Sequence, residues 1–218
     1  MDSGLVTPAS SRSRAEQVGE PIRLAIRRAR GPIVASGVTY LAFVILGIAL
    51  ATAGWPPAVE QRDSIVNGAQ SNPITQAYHQ GDRWRAAWLD FGANIGLGAI
   101  PTSIAGLSVV GPFPIAAYRG WVGGIVSIDG RHQSRLSTPG EAAYYLVTLV
   151  LQLVGFVLTM GAGVHVGLSV WRARNDSRIR SVLGLRIPAV ALRDAGWIYV
   201  AAIPFFFVGS LWEFLAQA

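Results

Sequence analysis

Four long stretches of this chain carry no Asp, Glu, Lys or Arg: residues 31–59, 95–118, 142–171 and 195–212. A helix needs roughly 20 apolar residues to cross the hydrocarbon core of a bilayer, and each stretch meets or approaches that length. Only 14% of the residues are charged and 51% are hydrophobic, whereas an ordinary soluble domain is about 25% charged. The prediction is an all-α fold, a polytopic helical membrane bundle. The pattern excludes a soluble enzyme and a disordered tail. It also excludes an outer-membrane barrel, whose strands alternate in segments of about ten residues.

The formal net charge is +6, and every basic residue is Arg. The arginines flank the apolar runs, with a block in 1–31 and another in 172–186. Such blocks orient a membrane protein and meet anionic lipid headgroups. They are not the basic face of a nucleic-acid binder, so no nucleic acid is expected as a partner. Both blocks lie in the cytoplasm if an even number of crossings separates them. The expectation is a multi-pass protein of the cell (inner) membrane with about five spans, N-terminus inside and C-terminus outside. The absence of Cys excludes disulfides, thiolate metal sites and Cys nucleophiles.

The chain divides into a basic cytoplasmic tail with an interfacial helix, 1–31, and a transmembrane helical domain, 32–218. In Glu16–Arg30, Ile22, Leu24, Ala25 and Ile26 alternate with Arg23, Arg27, Arg28 and Arg30, a pattern suited to the inner membrane surface. No secretory signal peptide is expected, because the following run is too long and lacks a clear cleavage site. A first span over 32–53 ends at Trp55-Pro56-Pro57. Residues 56–88 read as a loop closed by a short interfacial helix bearing Trp84 and Trp88. A second span over 90–110 contains Gly92, Gly96, Gly98, Gly106 and Pro101, which predict close packing and a kink. Residues 112–128 form a broken third span or a re-entrant segment interrupted by Arg119. The helix opening at Gly140-Glu141 is longer than one crossing at 1.5 Å per residue. It should tilt or bend and project past the inner face. A last span covers 192–215.

Few residues can carry polar work inside such a bundle. Arg119 near mid-membrane costs at least about 2.5–3.5 kcal/mol on insertion scales, so it should snorkel, pair or line a polar cavity. Glu141, Asp90, Asn94 and Asp129 are its candidate partners. Glu141 itself either complements the dipole of its helix or enters the bundle. Glu213 is either an interfacial acid between Trp212 and Phe214 or a partner for Arg83 or Arg85. Arg119, Glu141, Glu213 and Asn94 are therefore the candidate intramembrane or partner contacts.

Gly161, Gly163 and Gly167 form a small-residue packing face for a helix of this chain, a second copy or another membrane protein. His79, His132 and His165 lack metal-ligand spacing, and Met160 reads as packing. No cofactor, metal or catalytic constellation is expected.

Several short pieces add a resemblance. They are Asn94-Ile-Gly-Leu-Gly, Tyr118-Arg-Gly-Trp-Val-Gly, Gly140-Glu141-Ala-Ala, Gly161-Ala-Gly-Val-His-Val-Gly-Leu and Leu211-Trp-Glu213-Phe-Leu. In this order, over about residues 20–218, the chain resembles the stage II sporulation protein M family of integral membrane proteins. It departs from that family in carrying Pro139-Gly140 where members have His-Gly, and Arg119-Gly120 where they have Asn-Gly. The resemblance implies a non-enzymatic scaffold or accessory subunit of a membrane complex more than it implies sporulation. The alternative is a small-molecule or ion transporter or channel subunit, suggested by the Gly/Pro-interrupted segments.

Overall fold

The computed structural model describes residues 14–128, 134–173, 180–182 and 185–216. The order is α1 (Arg14–Arg28), α2 (Arg30–Thr52), α3 (Pro56–Ala69), α4 (Pro73–His79) and α5 (Arg83–Ala93). A π-helical stretch, Asn94–Ala99, leads into α6 (Ile100–Ala105) and a 3₁₀ turn, Gly106–Ser108. There follow α7 (Pro112–Ile125), α8 (Pro139–Arg172), the two paired strands β1 (Arg180–Val182) and β2 (Leu185–Ile187), and α9 (Ala189–Leu215). The architecture is helical, as expected from the uncharged runs. Among the described residues, three helices, α2, α8 and α9, are long and apolar enough to cross a membrane.

Glycines set the packing directions. Gly37 faces Val157 and Gly161 faces Ile33, so α2 and α8 run antiparallel. Gly120 abuts the Tyr40 carbonyl and Gly124 the Val44 carbonyl, so α7 runs parallel to α2. Gly106 abuts Gly163, and Ser103 hydroxyl donates to the Thr159 carbonyl at 2.7 Å, which places α6 parallel to α8. Gly155 abuts the Phe206 ring and Gly209 abuts Leu151, making α9 antiparallel to α8. The main core lies where these elements cross. Phe156 and Phe206 meet edge to face at 4.9 Å between ring centroids, with Met160, Ile198 and Ala99 fully buried around them.

Four local features differ from the sequence expectation. The segment 56–88 is mostly helical. Pro56 and Pro73 occupy first turns, where the missing N–H costs nothing. Asn72 and Asp82 cap α4 and α5 by accepting from the Ile74 and Arg85 amides. The kink expected at Pro101 takes the form of the π-helical stretch ahead of it. Proline cannot donate to the carbonyl four residues back, and the wider turn absorbs that; the Thr102 hydroxyl takes up the Gly98 carbonyl at 2.6 Å.

The segment 112–128 holds one 14-residue helix, α7, unbroken around Arg119. At the end of the basic block 172–186, β1 and β2 pair antiparallel, with Arg180 opposite Ile187. In addition, α1 is more than a surface helix: Ala25 is fully buried in the main core, as is Ala29 at the junction with α2. Gly161 is already level with Ile33 near the start of α2, and α8 continues beyond that level to Arg172. Residues 1–13, Asp129, Arg131, His132, Arg174 and Arg178 lie outside the described residues.

Candidate functional site

Arg119 and Glu213, two of the charges that the sequence places in or beside apolar runs, line one cavity of about 690 Å³. It lies between α7, the N-terminal half of α8 and the C-terminal end of α9, with α3, α4 and Arg135 at its mouth. Its floor is Arg119. The guanidinium carbon stands 3.9 Å from the centroid of the Phe156 ring, a cation–π arrangement. Gly98 closes the other side: a β-carbon there would lie 3.0 Å from Arg119 Nη2. Among the described residues, no carboxylate reaches Arg119 within ion-pair distance.

The wall above is built from α8 and α9. Gln152 donates through Nε2 to Glu213 Oε2 at 2.8 Å. Tyr144 hydroxyl donates to the Glu213 carbonyl, and Trp212 stacks on Tyr144 at 6.1 Å. Tyr145 hydroxyl donates to the Gly123 carbonyl and so ties α8 to α7. Tyr40, Tyr78 and Tyr118 complete an aromatic lining. On the α7 side, Trp121 Nε1 donates to Gln61 Oε1 at 2.8 Å, which holds α3 at the rim.

Behind this wall lies a second polar group. Asp90 Oδ2 accepts from Asn94 Nδ2 at 2.8 Å and from Ser210 hydroxyl at 2.7 Å. A third group lies at the opposite end of the bundle. Asp194 is bonded by Arg28 Nη1 at 3.1 Å and approached by His165 Nε2 at 3.4 Å.

The four candidate polar residues therefore separate. Arg119 and Glu213 line the same cavity. Asn94 serves Asp90 rather than Arg119. Glu141 is exposed in the first turn of α8, where Thr138 hydroxyl caps its amide at 3.4 Å, and does not line the cavity. Glu213 is held by Gln152, not by Arg83 or Arg85. Gly161, Gly163 and Gly167 pack against this chain's own Ile33, Ser103 and Gly106.

Sequence reading missed Gln152, Asp194 and the tyrosines of the lining. The Asp90/Asn94 spacing of four residues was the available signal for that pair. Tyr144, Tyr145, Thr148 and Gln152 were the signal for a polar stripe on α8. Among the described residues, no group of three metal-capable side chains comes together.

No family model, characterised protein or solved structure matches the chain.

Proposed function

We propose that this chain is a non-enzymatic subunit of a membrane complex that holds a ligand in the cavity above Arg119. One observation carries the reading. Among the described residues, the two nearby carboxylates are occupied by hydrogen bonds within the protein, Glu213 by Gln152 and Asp90 by Asn94 and Ser210. Arg119 rests on an aromatic ring in the cavity lining, and among the described residues no carboxylate lies within ion-pair distance of it. A charged group kept at that depth without a partner is costly unless something binds it.

The proposed topology is five crossings, N-terminus in the cytoplasm and C-terminus outside. It is supported by the alternating directions of α2, α5–α6, α7, α8 and α9 and by the two Arg blocks. The cavity then opens to the outer side, and the Arg blocks face anionic lipid. The resemblance to the stage II sporulation protein M family supports the subunit part of the reading.

Transport is the second reading, favoured by the π-helical stretch whose Gly98 backs directly onto Arg119. Broken helices beside a buried charge recur in transporters. Purification from native membranes in mild detergent, followed by native mass spectrometry, separates the two. The subunit reading expects partner chains in fixed stoichiometry. A chain that purifies alone and drives substrate flux in liposomes overturns it.

A further inference from the structure

We infer that the cavity binds a small water-borne organic anion, with its carboxylate or phosphate-type oxyanion on the Arg119 guanidinium. This deepens the ligand part of the proposed function and rests on it.

The donor geometry supports an oxyanion. A guanidinium offers five N–H donors in a planar fork matched to two-oxygen anions. Phe156 lies 3.9 Å below the plane's carbon and Gly98 leaves no room beside Nη2. The fork is thereby held in one orientation before a ligand arrives, which lowers the ordering cost of binding.

Local charge supports an anion. Arg135 adds a second positive group at the mouth, and among the described residues Glu213 is the one acidic side chain of the lining, with Gln152 bonded to it. A positive floor and rim in a cleft focus the field on anions entering from water.

Depth distinguishes the source. Gly120, next to Arg119, packs on the Tyr40 carbonyl. About 18 Å of helix separates Tyr40 from the end of α2 at Thr52. A phospholipid phosphate stays at the membrane interface, so its headgroup does not reach this floor. A soluble molecule passing α3 and α4 does. Val122, Leu149 and the Tyr40 ring offer its body a flat apolar berth.

The test uses the full chain in lipid nanodiscs, with benzoate and its neutral isostere benzamide as probes, read by titration calorimetry. Benzoate should bind at least about tenfold tighter than benzamide, the worth of charge-assisted hydrogen bonds. That preference should vanish in Arg119→Gln and persist in part in Arg119→Lys. Should Arg119→Gln fail to fold, Arg135→Gln at the exposed rim gives the second measurement: benzoate binding weakened at low salt and unchanged at high salt.

Replacing phosphatidylcholine by phosphatidylglycerol in the nanodisc should leave benzoate affinity unaltered; competition by the anionic lipid overturns the water-borne source. Equal affinity for the two probes, undiminished benzoate binding by folded Arg119→Gln, or no binding of benzoate or inorganic phosphate by the folded native chain overturns the site. A chain that binds benzoate but purifies without partners refutes the subunit reading and leaves this one standing.

Discussion

The Arg28 guanidinium reaches the Asp194 carboxylate at 3.1 Å, joining the end of α1 to the first turns of α9. The pair is asymmetric: the Asp194 side chain is 3% exposed and the Arg28 side chain 45%. Removing Arg28 leaves a buried carboxylate with His165 alone beside it, whereas removing the charge of Asp194 leaves an arginine that water can solvate. Breaking a fully buried pair costs about 3–5 kcal/mol. The exposure of Arg28 screens this one, to about 1–2 kcal/mol for Arg28→Ala and less for Asp194→Asn. Thermal unfolding in detergent measures both, and limited proteolysis reports whether α1 detaches. A larger loss for Asp194→Asn than for Arg28→Ala would refute this account.

Glycine substitutions should divide by what a methyl group would meet. A β-carbon at Gly163 would overlap the Ser103 backbone, and one at Gly120 the Tyr40 carbonyl. Backbone cannot yield as a side-chain tip can, so Gly163→Ala and Gly120→Ala should each lose about 1–3 kcal/mol or more. Gly92 and Gly96 face open space. Alanine at Gly92, within α5, should be neutral or gain up to about 1 kcal/mol through its helix propensity. Equal melting temperatures for Gly92→Ala and Gly163→Ala would contradict the packing.

The hydrogen bond from Trp121 to Gln61 ties α7 to α3 at the rim, beside the apolar contact of Ala58 and Ile65 with Ile125. Gln61→Leu should cost about 0.5–1.5 kcal/mol, the net worth of a neutral hydrogen bond. The visible effect should be local: faster amide hydrogen exchange across Pro56–Ala69, with α2 and α8 unchanged. Uniform acceleration in all helices would mean that α3 is integral to the bundle rather than hinged on it.

Because the chain contains no Cys, single cysteines report sidedness without background. Ser64→Cys on α3 should react with an impermeant maleimide from the outer side. Val110→Cys, 68% exposed in the turn before α7, and Ala173→Cys beyond α8 should react only from the cytoplasmic side. Val110 labelled from outside would make α5–α7 a re-entrant pair, and three crossings would remain.

Much of the framework was legible before any coordinates. The uncharged runs mark the positions of α2, α8 and α9, because charge in a bilayer interior is prohibitive and leaves a one-dimensional trace. Pro139 at a first turn and the Thr138 cap mark the start of α8 for a local reason as well. The helices of 56–88 were legible in principle, through Asn72-Pro73 and the Asp82 cap, but their weak apolar character reads as loop.

The site was legible only in part. Arg119 and Glu213 stand out as charges at or beside apolar runs, and Glu141 stands out equally yet stays at the surface. What separates them is which way each side chain faces once the helices pack, and a single charge in an apolar run carries no such direction. Asp194 meets Arg28 across 166 positions and Asp90 meets Ser210 across 120. The small-residue face of Gly161, Gly163 and Gly167 could not name its partner; the close approach of Ile33, Ser103 and Gly106 did. Local chemistry thus settled the all-helical class, the apolar segments and where charge was anomalous. The packing of the helices settled, among the described residues, which charges are paired and that Arg119 faces a cavity, because those pairings depend on distances that no local spacing encodes.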